Sequence, residues 1–159
     1  MTSWPTVGVV IPTRSRPELV RKAVDSVRAQ DYPGKIRIIV VFDGTEPDFS
    51  LAAPGGPPVL MLANWRTPGL AGTRNTGITA LDTELVAFLD DDDQWLPAKL
   101  RKQVAALLTE PQAEFVTCGM QVEFDGRRTP RLAGRDRVTV QELARSRMAM
   151  LHSSSFLIR

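Results

Sequence analysis

The sequence predicts an α/β sandwich with a central, mostly parallel sheet. Three observations carry that expectation: continuous apolar runs at residues 7–11, 36–42 and 85–89, a helical apolar stripe between the first two, and turn-forming residues at each changeover. Unbroken apolar runs suit strands covered on both faces, as in parallel sheets, better than strands with one wet face. With 159 residues and 43% hydrophobic content the chain, residues 1–159, fits one domain with a real core.

The run that starts at Val7 ends before Pro12, so it reads as a buried strand followed by a loop. Pro17 suits the first helical position, where its missing N–H costs nothing. Leu19, Val20, Ala23, Val24 and Val27 then recur at helical spacing, and Asp31-Tyr32-Pro33-Gly34 stops the helix. Residues 36–42, apolar apart from Arg37, complete a βαβ unit. Pro47, Pro54, Gly55, Gly56, Pro57 and Pro58 mark residues 44–58 as a loop with room to move, and residues 59–62 form a short strand. Residues 70–81 read as a helix with Leu70, Ala71, Arg74, Ile78 and Leu81 on one side, weakened by Gly72 and Gly77. After the strand at 85–89, Pro97 opens a helix that buries Leu100, Val104, Leu107 and Leu108. Residues 115–124 supply one or two strands broken near Gly119, and Thr139 with Glu142 is spaced as a capping box for a short helix through Arg147. Residues 152–158 are strand-like and stop without a closing element.

The single Cys118 excludes an intrachain disulfide and fits a reducing, cytoplasmic location. The first residues lack the basic segment and apolar stretch of a secretory signal, and no apolar run approaches the ~20 residues of a transmembrane helix. A formal charge of +2 dictates no partner. Arg127, Arg128, Arg131, Arg135, Arg137, Arg145 and Arg147 do crowd together against Asp136 and Glu142. That stretch holds no aromatic residue, so solvated charge on a helix and its loops is preferred to a nucleic-acid surface.

The most informative segment is Leu85-Val86-Ala87-Phe88-Leu89-Asp90-Asp91-Asp92-Asp93-Gln94-Trp95-Leu96. Adjacent carboxylates repel, and the positive end of the Pro97 helix is worth only ~0.3–1 kcal/mol per acid, which justifies one or two of them. A divalent cation relieves the repulsion, and Mg²⁺ and Mn²⁺ prefer hard oxygen ligands. Open α/β sheets also place ligands at the carboxyl ends of their strands. Asp90 to Asp93 therefore read as a metal and phosphate-sugar site.

Val9-Val10-Ile11-Pro12-Thr13, Ser26-Val27-Arg28-Ala29-Gln30-Asp31-Tyr32-Pro33 and Ile38-Ile39-Val40-Val41-Phe42-Asp43-Gly44 resemble the opening of the family 2, GT-A-fold inverting glycosyltransferases. Gly72-Thr73-Arg74-Asn75-Thr76-Gly77-Ile78, Phe88 to Pro97 and His152-Ser153-Ser154-Ser155-Phe156-Leu157-Ile158-Arg159 extend the resemblance in order over nearly the whole chain. It implies a GT-A (Rossmann-like) α/β/α sandwich that binds a nucleoside-diphosphate sugar with Mg²⁺ or Mn²⁺ and transfers the sugar to an acceptor hydroxyl with inversion. By position it implies that Pro12, Thr13, Ser15 and Asp43 hold base and ribose, and that Arg74 and Asn75 are the Arg-Asn pair beneath the donor. Alignment through Gln94-Trp95-Leu96-Pro97 makes Asp92 the direct metal ligand, with Asp90 and Asp91 reaching ribose, sugar, metal or its water; Asp90 and Asp92 are the metal pair.

Phe42 departs from the family, which usually carries a second Asp there. Trp95 reads as a loop anchor, and His152 as a strand residue with a satisfied hydrogen bond rather than a ligand. The family's general base lies in its second half, so it is expected beyond Arg159, and the chain is expected to be truncated before the acceptor-binding part. The acceptor (saccharide, lipid carrier, protein or small molecule) stays open, as does a homodimer through an exposed sheet edge. Two alternatives remain. A non-catalytic nucleotide-sugar-binding module would follow from a missing acceptor half. A sugar-phosphate nucleotidyltransferase would need a Gly-rich loop where Thr13-Arg14-Ser15-Arg16 has no glycine.

Overall fold

In the computed structural model, which describes residues 3–52, 54–145, 148 and 150–159, strand and helix alternate as expected. The elements are β1 (Val7–Thr13), α1 (Pro17–Arg28), β2 (Ile36–Phe42), β3 (Val59–Ala63), α2 (Leu70–Thr79), β4 (Leu85–Phe88), α3 (Lys99–Thr109), β5 (Phe115–Val116), β6 (Met120–Phe124), β7 (Arg127–Arg131), α4 (Val140–Arg145) and β8 (Leu157–Ile158). The 3₁₀ turns Phe49–Ala52 and Ser153–Ser155 complete the list. The main sheet has the order β3-β2-β1-β4-β8-β5 and is mostly parallel. β8 is the exception, running antiparallel to both β4 and β5.

Because alternate residues of a strand face opposite ways, the sheet supports two different layers. Val7, Val9, Ile11, Ile38 and Val40 pack under Val20, Ala23, Val24 and Val27 of α1 and Leu100, Val104 and Leu107 of α3. On the other face Val10, Ile39 and Val41 meet Leu62, Ala80, Leu81, Val86 and Phe88 around α2. The chain leaves β1 in one direction to build β2 and β3, then returns to place β4 on the other side of β1. That reversal is a topological switch point, where an open sheet forms a crevice at its carboxyl edge.

Several expectations change. Leu19 is 37% exposed, so the α1 stripe starts at Val20. α2 ends at Thr79 and buries Thr73, Thr76 and Gly77, while Leu70 and Ile78 face outward. It lies too close to the sheet for larger groups: a Cβ on Gly77 would sit 2.4 Å from Val10 Cγ1. α3 starts at Lys99, exposes Leu108 and places Gln103 inside instead.

The arginine-rich stretch expected on a helix and its loops is partly strand β7, paired with β6 through Asp125-Gly126. Both turn residues have positive φ, 49° and 70°, the conformation for which Asp-Gly is favoured in two-residue hairpin turns. Arg128, Arg135 and Arg137 pair with Glu123, Glu142 and Glu110. Residues 152–158, read as strand-like, are mostly a 3₁₀ turn followed by the two residues of β8. The 44–58 loop buries Leu51 in its own 3₁₀ turn.

The capping box forms: Thr139 N–H donates to Glu142 Oε2 at 2.8 Å, and Glu142 N–H to Thr139 Oγ1 at 3.2 Å. Arg147, where that helix was expected to end, lies outside the described residues. Among the described residues no helix is long and apolar enough to cross a membrane.

Candidate functional site

Parallel strands point their carboxyl ends one way, so the residues that follow β1, β2 and β4 share one edge of the sheet. Asp43 follows β2, and its N–H donates to Thr13 O at 2.9 Å. Its carboxylate is 7% exposed, with Oδ1 accepting from Asn64 Nδ2 and Oδ2 from Gly69 N–H, both at 2.9 Å. The Asn64 hydrogen bond above all, helped by Gly69 and the charge of Arg14, holds this carboxyl below its ordinary pKa although burial opposes the shift. Asn64 is itself oriented, because its Oδ1 accepts from Thr76 Oγ1 at 2.8 Å and Arg66 N–H at 3.0 Å. The parallel register that sets Ala63 beside Phe42 brings Asn64 to Asp43.

Beyond β4 the chain turns, with Asp93 N–H donating to Asp90 O at 3.1 Å, and the four carboxylates fan out around that turn. Asp91 points inward, accepting from Thr13 Oγ1 at 2.8 Å and Arg16 Nη1 at 3.0 Å. Asp92 is more exposed and accepts from the same Arg16 Nη1 at 3.1 Å. Asp90 accepts from Arg74 Nη2 at 2.6 Å and Ser153 Oγ at 3.1 Å, while Arg74 also donates to Ser153 Oγ at 2.7 Å. Asp93 Oδ2 lies 3.3 Å from His152 Nδ1.

One oxygen each of Asp90 and Asp93 and a nitrogen of His152 lie within 4.8 Å of one another. His152 Nδ1 accepts from Ser154 N–H at 3.3 Å, and Nε2 lies 3.9 Å from Asp90 Oδ2. Four carboxylates meet two guanidinium groups, Arg16 and Arg74, leaving two formal negative charges before His152 is counted. The charge and the oxygen-and-imidazole donors fit a divalent ion such as Mn²⁺.

Thr13, Arg74, Asp90 and Asp91 are thus brought together, and Asp92 joins them through Arg16. Pro12 is buried within β1 beside Val41, Ser15 is exposed in the following loop with φ 55°, and Asn75 is exposed on α2. Trp95 anchors the loop, buried with its Nε1–H donating to Ser154 O at 2.7 Å. Asn64, Ser153 and the role of His152 were not anticipated. His152 caps a 3₁₀ turn rather than sitting in a strand. Leu157 pairs with Ala87 and Ile158 with Val86, so residues ahead of β8 run back past those that follow β4. Only that antiparallel return brings His152 to the acids, and no local pattern reports it.

The profile of glycosyl transferase family 2 matches residues 8–156. Over 103 residues the chain is 26% identical to the UDP-Glc:alpha-D-GlcNAc-diphosphoundecaprenol beta-1,3-glucosyltransferase WfgD of Escherichia coli, covering 64% of this chain and 41% of the relative. The mannosyltransferase PcManGT from Pyrobaculum calidifontis, solved with GDP-Man and Mn²⁺, superposes with a TM-score of 0.63 at 24% identity, over 74% of this chain and 36% of that one. TarS 1-349 of S. aureus with UDP-GlcNAc gives 0.67 at 24% identity, over 97% and 45%. The chain spans about two-fifths of the length of these relatives, and it shares the fold of the solved ones.

Proposed function

The chain belongs to glycosyl transferase family 2, and from that premise we propose that residues 1–159 form the donor-binding part of an inverting, metal-dependent glycosyltransferase. The donor is a nucleoside-diphosphate sugar and the acceptor group a hydroxyl. The observation that carries this reading is the meeting of Asp90, Asp93, His152 and Arg74 at the switch point of the sheet. GDP-Man with Mn²⁺ in one structural neighbour and UDP-GlcNAc in another support the donor class.

Asp43 has lone pairs left for a base N–H, and Thr13 ties the β1 loop to Asp91, so base side and phosphate side keep a fixed spacing. Arg74 carries fixed positive charge into the crevice beside Asp90, where a diphosphate would meet it. Asp90 would hold Mg²⁺ or Mn²⁺, either with Asp92, as the family resemblance implies, or with Asp93 and His152, as the distances favour. Such an ion offsets charge on the departing diphosphate. The acceptor oxygen bonds to the anomeric carbon as the bond to the diphosphate breaks, the electron pair leaves with the diphosphate, and the acceptor proton passes to a general base outside the residues named here.

Calorimetry with UDP, GDP and dTDP in Mn²⁺ tests the reading: at least one should bind, and EDTA should abolish that binding. Folded protein that binds none of them sinks the donor site. Asp92→Ala and Asp93→Ala then identify the ligand, because only the variant that removes a ligand loses the dependence on Mn²⁺.

A further inference from the structure

His152 belongs to a segment with little structure of its own, a single 3₁₀ turn and the two residues of β8. The turn's own bond to the imidazole, Ser154 N–H to His152 Nδ1 at 3.3 Å, is long, so the place of the imidazole depends on where the turn itself is held. Two of its carbonyls, those of Ser154 and Ser155, are taken up from outside. Trp95 Nε1–H donates to Ser154 O at 2.7 Å, and Gln103 Nε2–H donates to Ser155 O at 2.7 Å and to Val116 O at 3.4 Å.

Gln103 is 3% exposed on the inner face of α3, among Leu100, Val104 and Leu107. A primary amide there is costly unless its polar atoms are used. They are used: besides the two carbonyls, Oε1 accepts from Lys99 Nζ at 2.7 Å. An amino group on one side and carbonyls on the other leave the amide one orientation, because turning it round would set oxygen against oxygen. Lys99 Nζ also stands 3.8 Å from the centre of the Trp95 ring, so one lysine braces both side chains that grip the turn. Withdrawal from water pushes the Lys99 pKa down to about 7, and whether charged or neutral its amino group keeps an N–H to donate to Gln103 Oε1.

We infer that Gln103, oriented by Lys99, is a positioning residue that holds the His152 imidazole against Asp90 and Asp93 through the carbonyl of Ser155. The inference rests on reading that cluster as a cation site, but its geometric half stands apart from the metal. Gln103→Glu keeps the shape and the acceptor facing Lys99 while removing the donors to Ser155 and Val116. His152 is the sole histidine of the sequence, so its imidazole protons give a single set of NMR signals.

Without metal, Gln103→Glu should move and sharpen those signals toward an unrestrained imidazole, with the core methyl signals unchanged. With Mn²⁺, which should broaden the wild-type signals, the variant should bind roughly 10–100-fold more weakly, as is usual when the group supporting a ligand is lost. Lys99→Met, which frees the amide without deleting it, should shift the signals the same way by less, and it decides the matter if Gln103→Glu fails to fold. Imidazole signals that coincide with wild type, beside a changed melting temperature, would mean that Gln103 only stabilises α3, and the inference falls. If Mn²⁺ leaves the wild-type signals untouched the cation reading fails, while the metal-free comparison still decides whether Gln103 positions His152.

Discussion

The face of the sheet under α1 and α3 is filled with Val, Ile and Leu side chains, whereas α2 meets the opposite face through Thr73, Thr76 and Gly77. The first face removes much apolar surface from water and supplies most of the stability. The second gives up that burial for close approach, which lets Thr76 orient Asn64 against Asp43 and lets Arg74 reach Asp90. One layer holds the domain together, and the other holds the site in place.

The largest effect should come from the aliphatic face. Leu100→Ala removes a fully buried side chain and should cost about 2–5 kcal/mol in urea unfolding, while Leu108→Ala on the same helix, 46% exposed, should cost about 0.5 kcal/mol or less. Equal losses would mean that α3 does not bury the face described. Next comes Gly77→Ala, whose new Cβ would crowd Val10 and should destabilise by about 1–3 kcal/mol, despite Ala being the better helix former. A more stable variant would show that α2 stands off from the sheet.

The smallest effect is electrostatic and belongs to the α2 side. Since the folded Asp43 carboxyl titrates below its ordinary range, its contribution is complete above the unfolded pKa of about 4 and is lost as pH falls through the folded value. Asn64→Leu removes the main cause of that shift, so its stability should fall less than wild type's between about pH 6 and about pH 3. Parallel pH profiles would remove Asn64 from that role.

The aliphatic face was legible in the sequence because its signal is local. β1, β2 apart from Arg37, and β4 are largely apolar runs, and the α1 stripe repeats at helical spacing. The α2 face was not, since a helix that buries threonines and a glycine carries almost no apolar periodicity, and the stripe read from Leu70 and Ile78 lies on its exposed side. The hairpin carries a local signal of its own, since Asp125-Gly126 between residues 120–124 and 127–131 is a two-residue turn sequence.

The sequence by itself determined the α/β class, the order of the strands along the chain, the acidic run at the end of β4 and the resemblance that the family match bears out. Only the tertiary structure decided which partner each acid meets: Arg16 for Asp91 and Asp92, Arg74 and Ser153 for Asp90, His152 for Asp93. Propensity and periodicity act between near neighbours in the chain, whereas these pairings depend on strand register and on the antiparallel return of β8 beside β4. Those are properties of the assembled sheet, set by the burial of its two faces as a whole.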